Sequence, residues 1–121
     1  MNKKIYSLPF ICYLFCIGGC KEVFERVLDK DKIVLLAPGN NVISVNADQT
    51  FSWQPVDEAT YYELQIVTPR FDSIVSFIAD TTIRQNFMAL TLDTTRYQWR
   101  VRAFNASSST TFSNPWSVTI H

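Results

Sequence analysis

The sequence predicts an all-β sandwich of about seven strands, and three observations carry that prediction. Short runs rich in valine, isoleucine, threonine and aromatics recur from Ile33 to the end of the chain, and clusters of Pro, Gly, Asn and Asp separate them. Several runs alternate apolar and polar residues by twos, the period of a strand with one dry and one wet face. No stretch after Ile33 has the 3.6-residue period of an amphipathic helix.

In chain order, IVLLAP (33–38) is the first strand and ends in a Pro-Gly-Asn-Asn turn at 38–41. TFSWQPV (50–56) sets Phe51 and Trp53 on one face. YYELQIV (61–67) follows, with Tyr62, Leu64 and Ile66 on the core side and Tyr61, Glu63, Gln65 and Val67 on the wet side. SIVSFIA (73–79) is apolar on both faces by parity: Val75, Phe77 and Ala79 share one, and Ile74 and Ile78 share the other with Ser76. QNFMALTL (85–92), YQWRVRAF (97–104) and WSVTI (116–120) complete the set. In YQWRVRAF, Tyr97, Trp99, Val101 and Ala103 face inward, so Gln98, Arg100 and Arg102 face out, and Glu63 is expected to pair with Arg100 or Arg102 across the ladder. Seven short strands in residues 33–121 fit an immunoglobulin-like sandwich.

Ahead of the strands stands a different kind of sequence. MNKK is basic, IYSLPFICYLFCI is apolar and GGC is small, the order of a secretory leader whose apolar run is too short to span a bilayer. Ile17-Gly18-Gly19-Cys20 resembles the lipobox of bacterial lipoproteins. That resemblance implies cleavage between Gly19 and Cys20, lipidation of Cys20 with acyl chains such as palmitate, and a stable membrane anchor. The expected organisation is a signal peptide (1–19), a lipidated N-terminus and tether (20–32) and one domain (33–121). The tether, KEVFERVLDKDK, is charged and uncapped, and the charged pair after Cys20 (Lys21-Glu22) loosely resembles lipoprotein surface-export signals. Cys12 and Cys16 leave with the leader, so the mature chain has no thiol pair for a disulfide or a metal. Loss of Lys3 and Lys4 leaves nine basic against eleven acidic residues, which gives no electrostatic footprint for nucleic acid.

Residues 33–121 resemble a fibronectin type III domain of the divergent kind found in bacterial surface lipoproteins. The resemblance rests on the proline of LLAP, Trp53 in the second strand, Ala59-Thr60-Tyr61-Tyr62 before the third, and Leu92 followed by Tyr97-x-Trp99-x-Val101-x-Ala103. It implies that Tyr97 forms a tyrosine corner, its hydroxyl bonding back to the preceding backbone. These motifs describe a fold and carry no site.

Candidate sites are therefore surfaces. Ile74, Phe77 and Ile78 are a candidate partner surface, because a strand apolar on both faces has one face left to cover. Tyr61 and Phe71 are candidate glycan-stacking aromatics. Asp72-Ser73-Ile74, Asp80-Thr81-Thr82 and Asp93-Thr94-Thr95 resemble acceptors of periplasmic O-glycosylation, and Asp-Thr-Thr is equally ordinary turn chemistry. Asn105-Ala106-Ser107 reads as a sequon that a bacterial lipoprotein would not normally use. His121 is the lone histidine, and the sequence has no phosphate loop, nucleophile elbow or metal-ligand cluster. The expectation is a non-enzymatic, cofactor-free lipoprotein of the bacterial outer membrane, facing either the periplasm or the cell surface and acting as an accessory or adhesion module with a protein partner. The alternative is a glycan-binding lipoprotein of a nutrient-capture system.

Overall fold

A computed structural model describes residues 27–121. Gly19, Cys20 and the first part of the tether lie outside the described residues, and so do the expectations that fall on them.

Eight strands form two sheets: β1 (Leu35–Ala37), β2 (Val42–Ser44), β3 (Asp48–Trp53), β4 (Tyr61–Arg70), β5 (Ser73–Ile83), β6 (Phe87–Thr91), β7 (Arg96–Phe104) and β8 (Trp116–Ile120). One sheet has the order β1-β3-β6 and the other β2-β8-β7-β4-β5. Seven of the eight are the runs expected from the sequence. The addition is β2, which runs parallel to β8 from Val42↔Val118 to Ser44↔Ile120. The chain starts in one sheet as β1, turns at Gly39–Asn41 and joins the other sheet. Asn41 N–H donates to the Ser117 carbonyl (2.8 Å), and Ser117 N–H donates to Asn40 Oδ1 (3.0 Å). Asn41 takes a positive φ of 64°, which asparagine tolerates better than most residues.

The core lies between the sheets and follows strand parity. Phe51 and Trp53 from β3 meet Tyr62, Leu64 and Ile66 from β4, Tyr97, Trp99, Val101 and Ala103 from β7, and Val118 and Ile120 from β8, all buried. The aromatics meet edge to face: Phe51 on Trp99 at 5.1 Å, Trp53 on Tyr62 at 5.5 Å and Trp116 on Trp99 at 6.1 Å between centroids. Burying one such tryptophan is worth roughly 4–6 kcal/mol before chain entropy is charged against it. Tyr62 is anchored at its polar end, where Val56 N–H donates to its hydroxyl (3.0 Å). The Tyr97 hydroxyl donates to the Asp93 carbonyl at 2.7 Å, closing the turn from β6 into β7. Burial, reinforced by Asp93, raises the pKa of Tyr97, so the group stays a donor.

Two sequence expectations change here. The first concerns parity in SIVSFIA. Opposite β4, Phe77 pairs with Val67 and Ala79 with Ile66, so Ile78 is an extra residue; Ser76 pairs with Thr68 and Ile74 with Pro69, so Val75 is another. Each bulge reverses the alternation. Phe77 therefore shares a face with Ile74, opposite to Ala79, whereas unbroken alternation would group Phe77 with Ala79.

The second concerns the segment before Ile33. Leu28 is fully buried, its N–H donates to Ser108 Oγ (2.9 Å), and Asp31 N–H donates back to the Leu28 carbonyl. The packed unit thus takes in Leu28 and does not begin at Ile33. Leu28→Ala is expected to lower unfolding stability in urea by about 2–4 kcal/mol. An unchanged midpoint would show that Leu28 belongs to a free segment.

Candidate functional site

The outer face of the larger sheet gathers most of the residues singled out from the sequence. The β4–β7 register pairs Glu63 with Arg102, Gln65 with Arg100 and Val67 with Gln98. On the β5 side the same rungs continue to Thr82, Asp80 and Phe77. Cross-strand partners share a face. Half of this outer face is therefore a charged ladder, and the half toward the β4–β5 turn is apolar, with Val67, Phe77, Pro69 and Ile74.

In the charged half Glu63 takes Arg102 as its partner. Arg102 Nε and Nη2 both lie 2.8 Å from Glu63 Oε1, with Glu63 the more buried of the two. Arg100 instead donates Nε–H to Gln65 Oε1 (2.9 Å), and Gln65 Nε2 reaches Glu63 Oε2 at 3.4 Å. Burial pulls the Arg100 pKa below its ordinary value; Glu63 and Asp80 oppose the shift, and Arg102 adds to it.

The face expected to be wet is largely covered. Gln65 and Val67 are buried although both point away from the core. Their cover comes from residues that fold back over the sheet. Phe71 follows β4, and its N–H donates to Gln98 Oε1 (2.9 Å), which brings its ring to 4.1 Å from the Arg100 guanidinium carbon. Phe112 arrives from the β7–β8 connection and lies 4.3 Å from Arg100 and 4.8 Å from Arg102. That connection is tied along β7 by side chains standing in for a strand. Val101 N–H donates to Ser113 Oγ (3.1 Å) and Ala103 N–H to Thr110 Oγ1 (3.0 Å), while Ser113 and Thr110 N–H donate to the Val101 and Ala103 carbonyls. Beyond Arg102 come Phe104, at 5.8 Å, and Tyr61, which meets Phe104 edge to face at 4.2 Å. The result is an alternating stripe, Phe71–Arg100–Phe112–Arg102–Phe104–Tyr61. No spacing rule in the sequence brings Phe112 to this stripe, because its position depends on how the connection folds back.

The stripe fixes where the glycan-stacking candidates sit. Phe71 and Tyr61 lie at its two ends, Tyr61 as the first residue of β4 and Phe71 just past its last, so the length of the strand separates them. Phe71 has Arg100 on its ring, and Tyr61 packs on Phe104. The partner-surface candidates sit differently. Ile74, Phe77 and Ile78 are 42%, 50% and 40% exposed, and Val75 is 80% exposed. They lie on β5, which has β4 alone as its neighbour. The three Asp-Ser/Thr strings fall at the β4–β5 turn, near the C-terminal end of β5 with Thr81 half-buried, and in the exposed turn after Leu92. Asn105 is buried, and its Oδ1 accepts the N–H groups of Ser107 and Ser108, closing a turn. Among the described residues no group of three His, Cys, Asp or Glu side chains is placed to hold a metal ion.

Each guanidinium–ring contact in the stripe is expected to contribute about 0.5–2 kcal/mol. A double-mutant cycle on Arg100→Ala and Phe112→Ala, read from urea midpoints, should give a coupling energy in that range. Strict additivity of the two losses would show the stacking to be energetically idle.

No family model and no curated protein matches this sequence. Solved structures do. The fibronectin type III domain of the human KIAA0970 protein matches with a TM-score of 0.56 at 19% identity, covering 82% of this chain and 78% of that one. The domain of human fibronectin type III domain containing protein 3 matches at 0.50 and 14% identity, covering 76% and 86%. A β-1,2-glucanase from Parabacteroides distasonis matches at 0.52 and 18% identity over 74% of this chain but 12% of its own. At these identities the likeness concerns architecture. The two-sheet strand order, the buried Trp53 and Trp99 and the Tyr97 turn agree with it, and the chain has the β-sandwich fold of a fibronectin type III domain.

Proposed function

We infer that this protein is a lipid-anchored module of the bacterial cell envelope that presents a protein-contact surface and performs no chemistry of its own. The observation that carries the contact reading is the exposed apolar run Ile74, Val75, Phe77 and Ile78 on an edge strand. Contiguous exposed apolar side chains mark partner surfaces. A sandwich with this fold is commonly a non-catalytic spacer or contact module, although fold alone does not choose a partner.

The anchor reading rests on the lipobox-like Ile17-Gly18-Gly19-Cys20. Packing of Leu28 adds a geometric consequence. The eight residues from Cys20 to Leu28 span at most about 29 Å whatever their conformation. A free tether running to Ile33 would span thirteen residues and reach about 47 Å. The anchored domain therefore stays close to the lipid surface. The attachment pole is the one that holds Leu28 and Ser108, and the β4–β5 turn lies at the far end of β4.

Two outcomes test the two halves of this reading. Cys20→Ala is expected to move the protein from the membrane to the soluble fraction of lysed cells; continued membrane retention would refute the lipid anchor. Phe77→Asp is expected to abolish recovery of chemically crosslinked protein partners while leaving the fold intact by tryptophan emission. Unchanged crosslinks would remove β5 as the contact surface.

A further inference from the structure

We propose that the outer face of the smaller sheet, at the end where the chain enters the domain, rests on the lipid surface that anchors the protein. The proposal builds on the lipid-anchor reading and adds which side of the domain meets the bilayer. Phe51 and Trp53 point into the core, so Thr50, Ser52 and Gln54 face out. Ser52 pairs with Phe87 on one side and Ala37 on the other, and Leu36 is the extra residue of a bulge beside Ala37. Val34, Leu36 and Phe87 are 47%, 49% and 50% exposed, while Leu35 between the first two is buried. Three large apolar side chains thus gather at one end of this face.

The same face is almost free of charge. Residues 34–37, 48–54 and 87–91 hold one ionisable side chain, Asp48. It lies at the far end of β3 and accepts a hydrogen bond from Thr91 Oγ1 at 2.7 Å. The outer face of the larger sheet instead carries Glu63, Asp80, Arg100 and Arg102. A surface seated at the headgroup–acyl boundary buries its apolar side chains there, and an uncharged face loses no ion hydration in doing so. The two outer faces of this sandwich therefore differ in kind, and the smaller sheet has the one that suits lipid.

The path of the chain names lipid as the occupant. β1 starts opposite Trp53, and Asp31 and Lys32 border Gln54 and Pro55, so the segment after Leu28 runs into the end of the sheet that holds Val34 and Phe87. Cys20 lies at most about 29 Å from Leu28. A lipidated Cys20 therefore holds this end near the bilayer at an effective concentration on the order of millimolar. A contact too weak to capture free vesicles is then enough to choose the face. Lys30, Lys32 and Arg84 stand near this end together with Asp57 and Glu58, so headgroup charge is not the attraction and zwitterionic lipid is the fitting probe. Exposed Ile74, Val75 and Phe77 belong to the other sheet and to its opposite end, so this posture turns them away from the lipid.

Fluorescence quenching of the full lipidated chain in phosphatidylcholine vesicles tests this. A bimane label is attached through Leu36→Cys, Phe87→Cys or Val75→Cys, and circular dichroism confirms that each variant is folded. Cys12 and Cys16 leave with the leader and Cys20 carries the lipid, so the label has one site. An apolar face seats about 5–10 Å into the headgroup–acyl boundary, so phosphatidylcholine with a doxyl group near its headgroup should remove about half or more of the emission at positions 36 and 87. At position 75 it should remove less than about a tenth. With the label at position 36, Phe87→Asp should lower the quenching about threefold or more. A chain that floats with the vesicles but is unquenched at 36 and 87, or quenched equally at 75, would overturn the proposal and leave the anchor standing. A chain that does not float with the vesicles would overturn the anchor reading, and this proposal with it.

Discussion

The pairing of β4 with β7 is the constraint on which the rest of this sandwich depends. Seven consecutive rungs join Tyr61–Val67 to Phe104–Gln98 without a register break. Because side chains alternate strictly along both strands, that one register decides two surfaces at once. It stacks Tyr62, Leu64 and Ile66 with Ala103, Val101 and Trp99 inside, and it leaves Glu63 and Gln65 beside Arg102 and Arg100 outside. A slip of one residue would bring arginines into the core against Trp53 and Phe51, so the burial of Trp99 and the Glu63–Arg102 pair depend on the same rungs.

The outer face of this pair shows how a small sandwich hides surface it cannot leave bare. Two guanidinium groups bond to Gln65 and Glu63, and two phenylalanines from outside the ladder lie over them. Arginine suits the place because its planar, weakly hydrated guanidinium can stack on rings while its Nε–H bonds in the plane of the sheet. The connection from β7 to β8 is held by the Ser113 and Thr110 hydroxyls, which accept the β7 N–H groups that a paired strand would otherwise take. Buried backbone donors rarely go unpaired, and here side chains complete what the short β8 leaves open. The outward arginines of β7 are the fastening of a loop to a sheet.

The β5 margin of the same sheet is left uncovered. Toward the β4–β5 turn the face is apolar, the strand at its margin is bulged twice, and four large side chains reach solvent. Exposed Ile74, Val75, Phe77 and Ile78 on the strand beside a buried Val67 are what make β5 the surface of interest. It also lies at the far end of β4 from Leu28, where the chain enters the domain.

Much of this was legible in the sequence. Seven strands, the inward sets on β3, β4 and β7 and the Tyr97 position follow from a period of two, a local property that holds wherever a strand is regular. Glu63 pairing with one of two arginines was legible to within that choice, and the choice of Arg102 needed the register. What tertiary structure alone decided lies where locality fails. The parallel β2 exists because the chain crosses between sheets after Asn41, the bulges at Val75 and Ile78 exist because β5 must fit β4, and Leu28 is buried because Ser108, eighty residues away, meets it. Each depends on a partner distant in sequence, and no run of ten residues can encode which distant strand it will meet.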